Sequence, residues 1–412
     1  MSGLSFNVLC LRDFRLLLAA RFCTVVALQA QSVVVGWQIY SLTKDPLLLG
    51  LTGLTEAVPA IFCALFAGYF VDIGQPKRIY LWCLGTLSLN TLILLVIAGG
   101  YLPMNESHVV AALFTGVFIS GLARSFAMPA AFSILPRIIP RGEMAGALSW
   151  QTSVFQIGAI TGPAVAGLIY GGYGAHGAWW MPVTMLCISF MMIGFIRLPN
   201  WERAATKPKA FESIREGWMF ILGNKTLLTV MALDMFAVLF GGAVAMLPMF
   251  ADQVLHIGAE GLGALRAAPA IGAVLTALVF ALRPMKVISA RRLLFVVAGF
   301  GVCMIGFGLS QYFWLSMIFL AISGAFDSVS MIIRGTLMQL LTPEAMKGRV
   351  SAVNSMFIIS SNEIGAFESG VAAKLLGLVP SIVFGGIATL SVVAAAARSK
   401  SFRRMTVKAD EI

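Results

Sequence analysis

Ile119-Ser120-Gly121-Leu122-Ala123-Arg124-Ser125 and Ile322-Ser323-Gly324-Ala325-Phe326-Asp327-Ser328 align without a gap. The match runs on through Met128 over Met331 and ends at Pro140 over Pro343, an offset of about half the chain. Both copies sit inside apolar runs long enough to cross roughly 30 Å of hydrocarbon. Twelve such runs are read, near 14–40, 48–71, 79–100, 109–134, 147–171, 178–197, 226–251, 261–282, 293–310, 312–340, 350–377 and 379–397. The repeated text falls on the fourth and the tenth, the placement that a duplicated six-helix unit requires.

The runs are continuous and about twice strand length, so they read as helices and not as a β-barrel. Composition agrees. Of 412 residues, 59% are hydrophobic and 11% charged, against about 45–50% and 25% in a soluble domain. A mean hydropathy of +0.91 makes lipid the solvent for most of the surface. The expected fold class is an all-α integral membrane protein with twelve transmembrane helices in two pseudo-symmetric six-helix bundles. The expected units are an N-terminal bundle over 1–197, a cytoplasmic linker over 198–224, a C-terminal bundle over 225–397 and a basic tail over 398–412. The stretch after Asp13-Phe14-Arg15 is too long for a signal peptide and runs straight into the following span.

The net charge of +11 raises nucleic acid as a partner, but its distribution answers otherwise. With both termini inside, the cytoplasmic loops hold Lys77-Arg78, Arg137, Arg141, Arg203, Lys207, Lys209, Arg291-Arg292, Lys347 and Arg349, and the tail adds more. The opposite loops offer little beyond Lys44, beside Asp45, Glu106, Asp252 and Glu260. That asymmetry orients the chain with both termini cytoplasmic. The charge is a topogenic signal with an affinity for anionic lipid, not a nucleic-acid footprint. Cys10, Cys23, Cys63, Cys83, Cys187 and Cys303 are scattered, and His108, His176 and His256 sit singly, so no metal site and no cofactor is expected. There is no G-x-x-x-x-G-K-[ST] loop and no H-E-x-x-H, so neither direct ATP use nor an enzyme activity is expected.

Ionisable residues inside spans are the signal closest to function. Each costs roughly 2.5–3.5 kcal/mol at a span centre and should face a cavity or a partner. They are Arg21, Glu56, Arg124, Asp234, Arg266, Asp327, Arg334, Glu363 and Glu368. Arg124 and Asp327 hold equivalent places in the repeat. As a pair they would either exchange partners as a proton binds or hold the halves in static register. Asp234 is a second proton candidate, and Glu363, after Ser360-Ser361-Asn362, a third. Glu363 and Glu368, five apart, point to different sides of their helix. Arg266 and Arg334 read as snorkelling or locally paired. Gln29, Gln31, Trp37, Gln38, Phe236, Phe240 and Met246 complete the candidate cavity lining.

Gly68-Tyr69-Phe70-Val71-Asp72-Ile73-Gly74-Gln75-Pro76-Lys77-Arg78 resembles the G-x-x-x-D-x-x-G-x-[RK]-[RK] loop of the major facilitator superfamily. Gly158-x-x-x-Gly162-Pro163-x-x-x-Gly167 is similar to the motif of that superfamily's antiporters. Three strings in the second half, Leu247–Ala251, Gly261–Pro269 and Lys347–Asn354, resemble a branch of bacterial exporters that includes the enterobactin exporter. The resemblance implies that spans one, four, seven and ten line a central cavity, placing Arg21, Arg124, Asp234 and Asp327 there. It also implies a cytoplasmic latch at Gly68, Asp72, Gly74, Lys77 and Arg78, with Arg349 as the candidate partner of Asp72. The corresponding loop of the second half, Arg283-Pro284-Met285-Lys286, lacks the acid, so the latch would be one-sided.

These readings lead to a proton-coupled exporter, in a bacterial inner membrane, of a small amphipathic organic solute such as a siderophore or drug-like compound. Its partners are the solute, protons and membrane lipid, and a monomer is expected. The alternatives are a lysophospholipid flippase or facilitator, a divalent-metal exporter, and a non-transporting receptor or scaffold.

Overall fold

A computed structural model describes residues 6–140, 143–198, 210–282, 287–343, 346–398 and 406–408. Residues 199–209 of the expected linker lie outside the described residues, as do most of the basic tail, Arg141, the loop 283–286 and the side chain of Asp72.

Thirteen helices follow one another among the described residues. They are α1 Arg12–Thr43, α2 Pro46–Ile73, α3 Pro76–Ala98, α4 Glu106–Ile138, α5 Met144–Phe195, α6 Ala210–Gly223 and α7 Lys225–Phe240. Then come α8 Leu247–Gln253, α9 Ala259–Leu282, α10 Ala290–Leu309, α11 Phe313–Leu341, α12 Lys347–Leu376 and α13 Leu378–Ala397. Two three-residue strands, β1 Val287–Ser289 and β2 Thr406–Lys408, pair antiparallel.

Ten helical stretches among the described residues are long and apolar enough to cross a membrane. Two observations bring the crossings to twelve. Helix α5 has 52 residues, about 78 Å at helical rise and enough for two spans. It breaks at Gly174, whose φ of 65° and ψ of −165° leave the helix and favour a residue without a Cβ. Helix α12 spans 30 residues but carries Lys347, Arg349, Glu363, Glu368 and Lys374, which lower its apolarity. The seventh run departs from expectation. It ends as a helix at Phe240, passes Gly241-Gly242 and a 3-10 turn at Ala243–Met246, and resumes as α8.

Local chemistry sets the ends. Asn224 caps α7 by accepting the Leu227 N–H at 3.1 Å, and Ser289 caps α10 from Arg292 N at 3.3 Å. Pro76 opens α3, where the missing N–H costs nothing. Gly377, at φ 91°, separates α12 from α13.

The chain forms two compact units. The first joins 1–43, 55–210 and 258–267; the second joins 44–54, 211–257 and 268–412. The first is packed around Phe14 and Leu17 of α1, Leu84 and Leu87 of α3, Ala123, Ala127 and Ile134 of α4, and Leu186 and Ile193 of α5. In the second, Val230 and Leu233 of α7 meet Leu293 and Val297 of α10 and Ile333 and Leu337 of α11. A smaller cluster there joins Ile221 of α6 to Met231 and to Val350 and Val353 of α12. Large apolar side chains remain outside, Trp82 being 78% exposed with Phe62, Phe132, Phe295 and Trp314 similarly bare. That is the surface of a protein solvated by lipid.

Candidate functional site

In the first unit a buried polar network ties three helices. Gln31 of α1 donates to Ser120 Oγ of α4 at 3.2 Å and accepts from Thr91 Oγ1 of α3 at 3.3 Å. Asn90 donates to the same Ser120 oxygen at 3.1 Å and to the Gly116 carbonyl at 3.0 Å. Gln38 donates to the Ala98 carbonyl and accepts the Trp179 indole N–H at 3.0 Å. Gln31 and Gln38 are only 4% and 6% exposed. Their amides are spent on neighbours, because a buried amide left unpaired is costly. Gln29, two residues before Gln31, stays part-exposed.

The intramembrane charges separate into local groups. Arg124 of α4 forms an ion pair with Glu56 of α2. The helices approach closely there: a Cβ at Gly121 would lie 2.5 Å from the Glu56 carbonyl oxygen and 3.1 Å from Pro59. Arg21 holds its guanidinium 5.9 Å from the Phe155 ring centroid, and its buried Nε has no hydrogen-bond partner. Arg266 of α9 donates to Ser32 Oγ at 2.8 Å.

In the second unit Asp234 of α7 forms an ion pair with Arg334 of α11, both nearly enclosed. Arg334, read from sequence as structural, is thus the partner of a leading candidate. Asp327 and Ser330 lie seven and four residues before it, on the same helix face. Asp234, Asp327 and Ser330 all line one small cavity, with Val296, Val297, Phe300 and Phe326. A second, larger cavity is lined by Arg334, Asn354, Met231 and Met338. Phe236 and Phe240 stack with their ring centroids 6.4 Å apart. Glu363 of α12 lies against α2, its carboxylate 3.1 Å from where a Gly53 Cβ would sit.

The repeat acquires a second line at this level. Glu56-Ala57-Val58-Pro59 on α2 parallels Arg266-Ala267-Ala268-Pro269 on α9. In the second unit a Cβ at Gly324 would run into the Pro269 carbonyl oxygen, a close crossing of α9 and α11 like the one that Gly121 makes with α2 beside Pro59. Glu56 and Arg124 in one half thus correspond to Arg266 and Asp327 in the other, with the signs exchanged.

The candidate latch residues are engaged locally. Lys77 donates to the Gly194 and Ile196 carbonyls at the end of α5, at 2.8 and 2.5 Å. Gly74 closes α2 with its N–H on the Phe70 carbonyl at 3.0 Å, and Arg78 is exposed. Gly68 lies within α2. Arg349, expected opposite Asp72, forms its ion pair with Glu216 of α6. Beside it a Cβ at Gly217 would lie 2.8 Å from the Arg349 carbonyl oxygen, and Trp218 packs on Phe357. The antiporter-like motif is a packing seam: at Gly162 a Cβ would lie 2.9 Å from the Val26 carbonyl of α1, and Gly158 meets Val25. Pro163 follows inside α5, its carbonyl 2.5 Å from where a Gly263 Cβ would be.

A profile of the Major Facilitator Superfamily matches residues 17–366. The chain belongs to that superfamily. It is a transporter of a small-molecule substrate, not an enzyme. It is 25% identical over 383 residues to the enterobactin exporter EntS of Shigella boydii serotype 4, covering 92% of this chain and 89% of that one. The EntS of Escherichia coli O1:K1 matches with the same identity and coverage. Among solved structures, the nucleoside transporter NupG superposes with a TM-score of 0.72 at 13% identity, over 94% of this chain and 99% of its own. The xylose transporter XylE of E. coli, in an inward-open conformation, gives 0.70 at 12% identity, over 96% and 97%. The twelve-helix major facilitator fold is thereby shown.

Proposed function

We propose that the chain is a secondary-active exporter that moves a small amphipathic organic solute, of siderophore or drug-like character, out of the cytoplasm against protons. Its setting is a bacterial inner membrane with both termini cytoplasmic. The two six-helix bundles, 1–197 and 225–397, alternate access to the solute around the 198–224 linker. The observation that carries the reading is the Asp234–Arg334 pair enclosed on two membrane-crossing helices, in a chain resembling enterobactin exporters over nearly its whole length. Opposed charges in a low-dielectric interior are expensive to keep unless their exchange is used.

Coupling rests on Asp327, Asp234, Arg124 and Glu363. A carboxylate that loses its arginine in a dry site takes up a proton, and one that regains it gives the proton back. Arg124 and Asp327, at matched places of the repeat, are the members of this set whose charges are reversed between halves. Arg21, Gln29, Glu56, Phe236 and Phe240 contribute to solute binding. Aromatic side chains suit an amphipathic solute, whose apolar faces they cover. Gly68, Asp72, Gly74, Lys77, Arg78 and Arg349 serve as the cytoplasmic gate. The Gly158-Gly162-Pro163 seam is the surface along which helices shift.

The test is untargeted profiling of compounds that accumulate in everted membrane vesicles under an imposed pH gradient. The reading predicts accumulation of an amphipathic organic acid or chelator that collapses when a protonophore is added. Accumulation insensitive to the gradient would remove the coupling, and accumulation of lysophospholipid alone would reassign the substrate.

A further inference from the structure

The cavity between α7, α10 and α11 contains more than the transport reading uses. Asp234, 7% exposed, pairs with Arg334 through one carboxylate oxygen, and an ionised carboxylate has about four acceptor sites in all. Asp327 lines the same cavity, and no hydrogen bond or ion pair with another described residue is found for it. Ser330 lines it too, is 4% exposed, and its Oγ has no hydrogen-bond partner among the described residues. A buried hydroxyl without a partner costs about 1–3 kcal/mol. Such a group in a native site points to something that fills the space.

The chemistry around it selects the occupant. Two carboxylates and a hydroxyl are hard oxygen donors, with no imidazole or thiol among them. Arg334 neutralises one carboxylate, so the group as a whole holds a single negative charge. One negative charge suits a monovalent cation, whereas a divalent ion would leave an uncompensated positive charge in a dry interior. The cavity's centre admits about one water-sized occupant. The rest of the lining, Ala237, Val238, Val296, Val297, Phe300 and Phe326, is apolar. Helix α9, packed on α11 at Gly324, has Arg266 turned to Ser32. Among the described residues, Asp234 of α7 is thus the charged group that lines the cavity with Asp327 from a packed helix, and its partner Arg334 lies seven residues beyond Asp327 on α11.

We infer that this cavity is a binding site for a monovalent cation of sodium size, held by Asp327, the Ser330 hydroxyl and the second oxygen of Asp234. Protons and sodium compete for it, since protonation of Asp327 removes the charge that holds the ion. The inference rests on the ion-coupled reading for what the site does, and not for whether it binds.

The experiment measures the melting temperature of the purified full-length protein at pH 8 as sodium chloride replaces choline chloride at constant ionic strength. The melting temperature is expected to rise saturably with sodium. Where protons compete, the half-saturating concentration is expected to rise about tenfold for each unit fall in pH. Asp327→Asn abolishes the rise, and Ser330→Ala raises the half-saturating concentration at least fivefold. Thr336→Ala, half-buried on the same helix and outside the cavity lining, leaves the rise as it is. No saturable difference between sodium and choline in the unmodified protein overturns the inference, however the variants fold. So does a full response in Asp327→Asn. A melting temperature that answers to pH alone rejects the sodium site and leaves proton coupling standing. Sodium binding in a protein whose vesicle flux ignores ion gradients upholds the site and rejects the coupling.

Discussion

Two residues of the second unit, Asp234 and Arg334, put the energetics of the site in numbers. Removing one partner of a buried pair leaves a charge without compensation, at a cost of about 3–5 kcal/mol, whereas replacing both by apolar residues is often neutral or stabilising. Arg334→Ala is therefore expected to lower the melting temperature of the purified protein strongly. The double variant Asp234→Leu with Arg334→Met should recover most of the loss while failing to transport. If the double variant is as unstable as the single one, the pair is not the determinant. A second residue-scale expectation concerns Asp45, in the short connection between α1 and α2. Its carboxylate accepts from Lys374 at 2.8 Å and from the Leu47 N–H at 2.9 Å. Chiefly the Lys374 hydrogen bond holds the carboxyl below its ordinary value of 3.8. A depressed folded value contributes stability that is present above that ordinary value and is lost as pH falls through the folded one. The melting temperature below about pH 4 should fall less steeply in Lys374→Gln than in the unmodified chain; equal slopes would deny the pair any role. The pair is partly exposed, so the effect is small.

At the scale of elements, the close crossings bear the strain of substitution. Gly121→Leu drives a side chain into the Glu56 carbonyl and Pro59, and overpacking of that kind costs about 1–3 kcal/mol. It should also disturb the adjacent Glu56–Arg124 pair, so both melting temperature and transport fall; a variant that melts and transports normally would show that the crossing is loose. The helices themselves were legible because apolar length is written directly in sequence, and the duplicated Ile119–Ser125 text placed two of them. The break at Gly174 was legible as a gap between two runs. The break at Gly241-Gly242 was not, because the apolar run continues through it and only the backbone turns. Charged positions were equally legible, since any Asp or Arg in such a run stands out, but their partners were not. Arg124 meets Glu56 and Asp234 meets Arg334 through helix packing that spacing along one chain does not encode. The partners of Gln31 and Gln38 were equally hidden: Ser120, Thr91 and Trp179, from three other helices, bond their amides. Ser330 escaped notice because serine in a membrane helix usually bonds its own backbone, and only the structure leaves its Oγ without a partner.

For the whole molecule, the sequence is a duplicated unit whose two halves keep the same crossings and exchange the charges on them. Glu56 and Arg124 in one half answer to Arg266 and Asp327 in the other, and transport is proposed to draw on that asymmetry. The most direct measurement compares solute flux in proteoliposomes carrying the unmodified chain and Asp327→Asn, once under an imposed pH gradient and once as solute exchange without one. The account predicts that Asp327→Asn loses gradient-driven accumulation and keeps exchange near the unmodified rate. Gradient-driven accumulation that survives Asp327→Asn undiminished would contradict it.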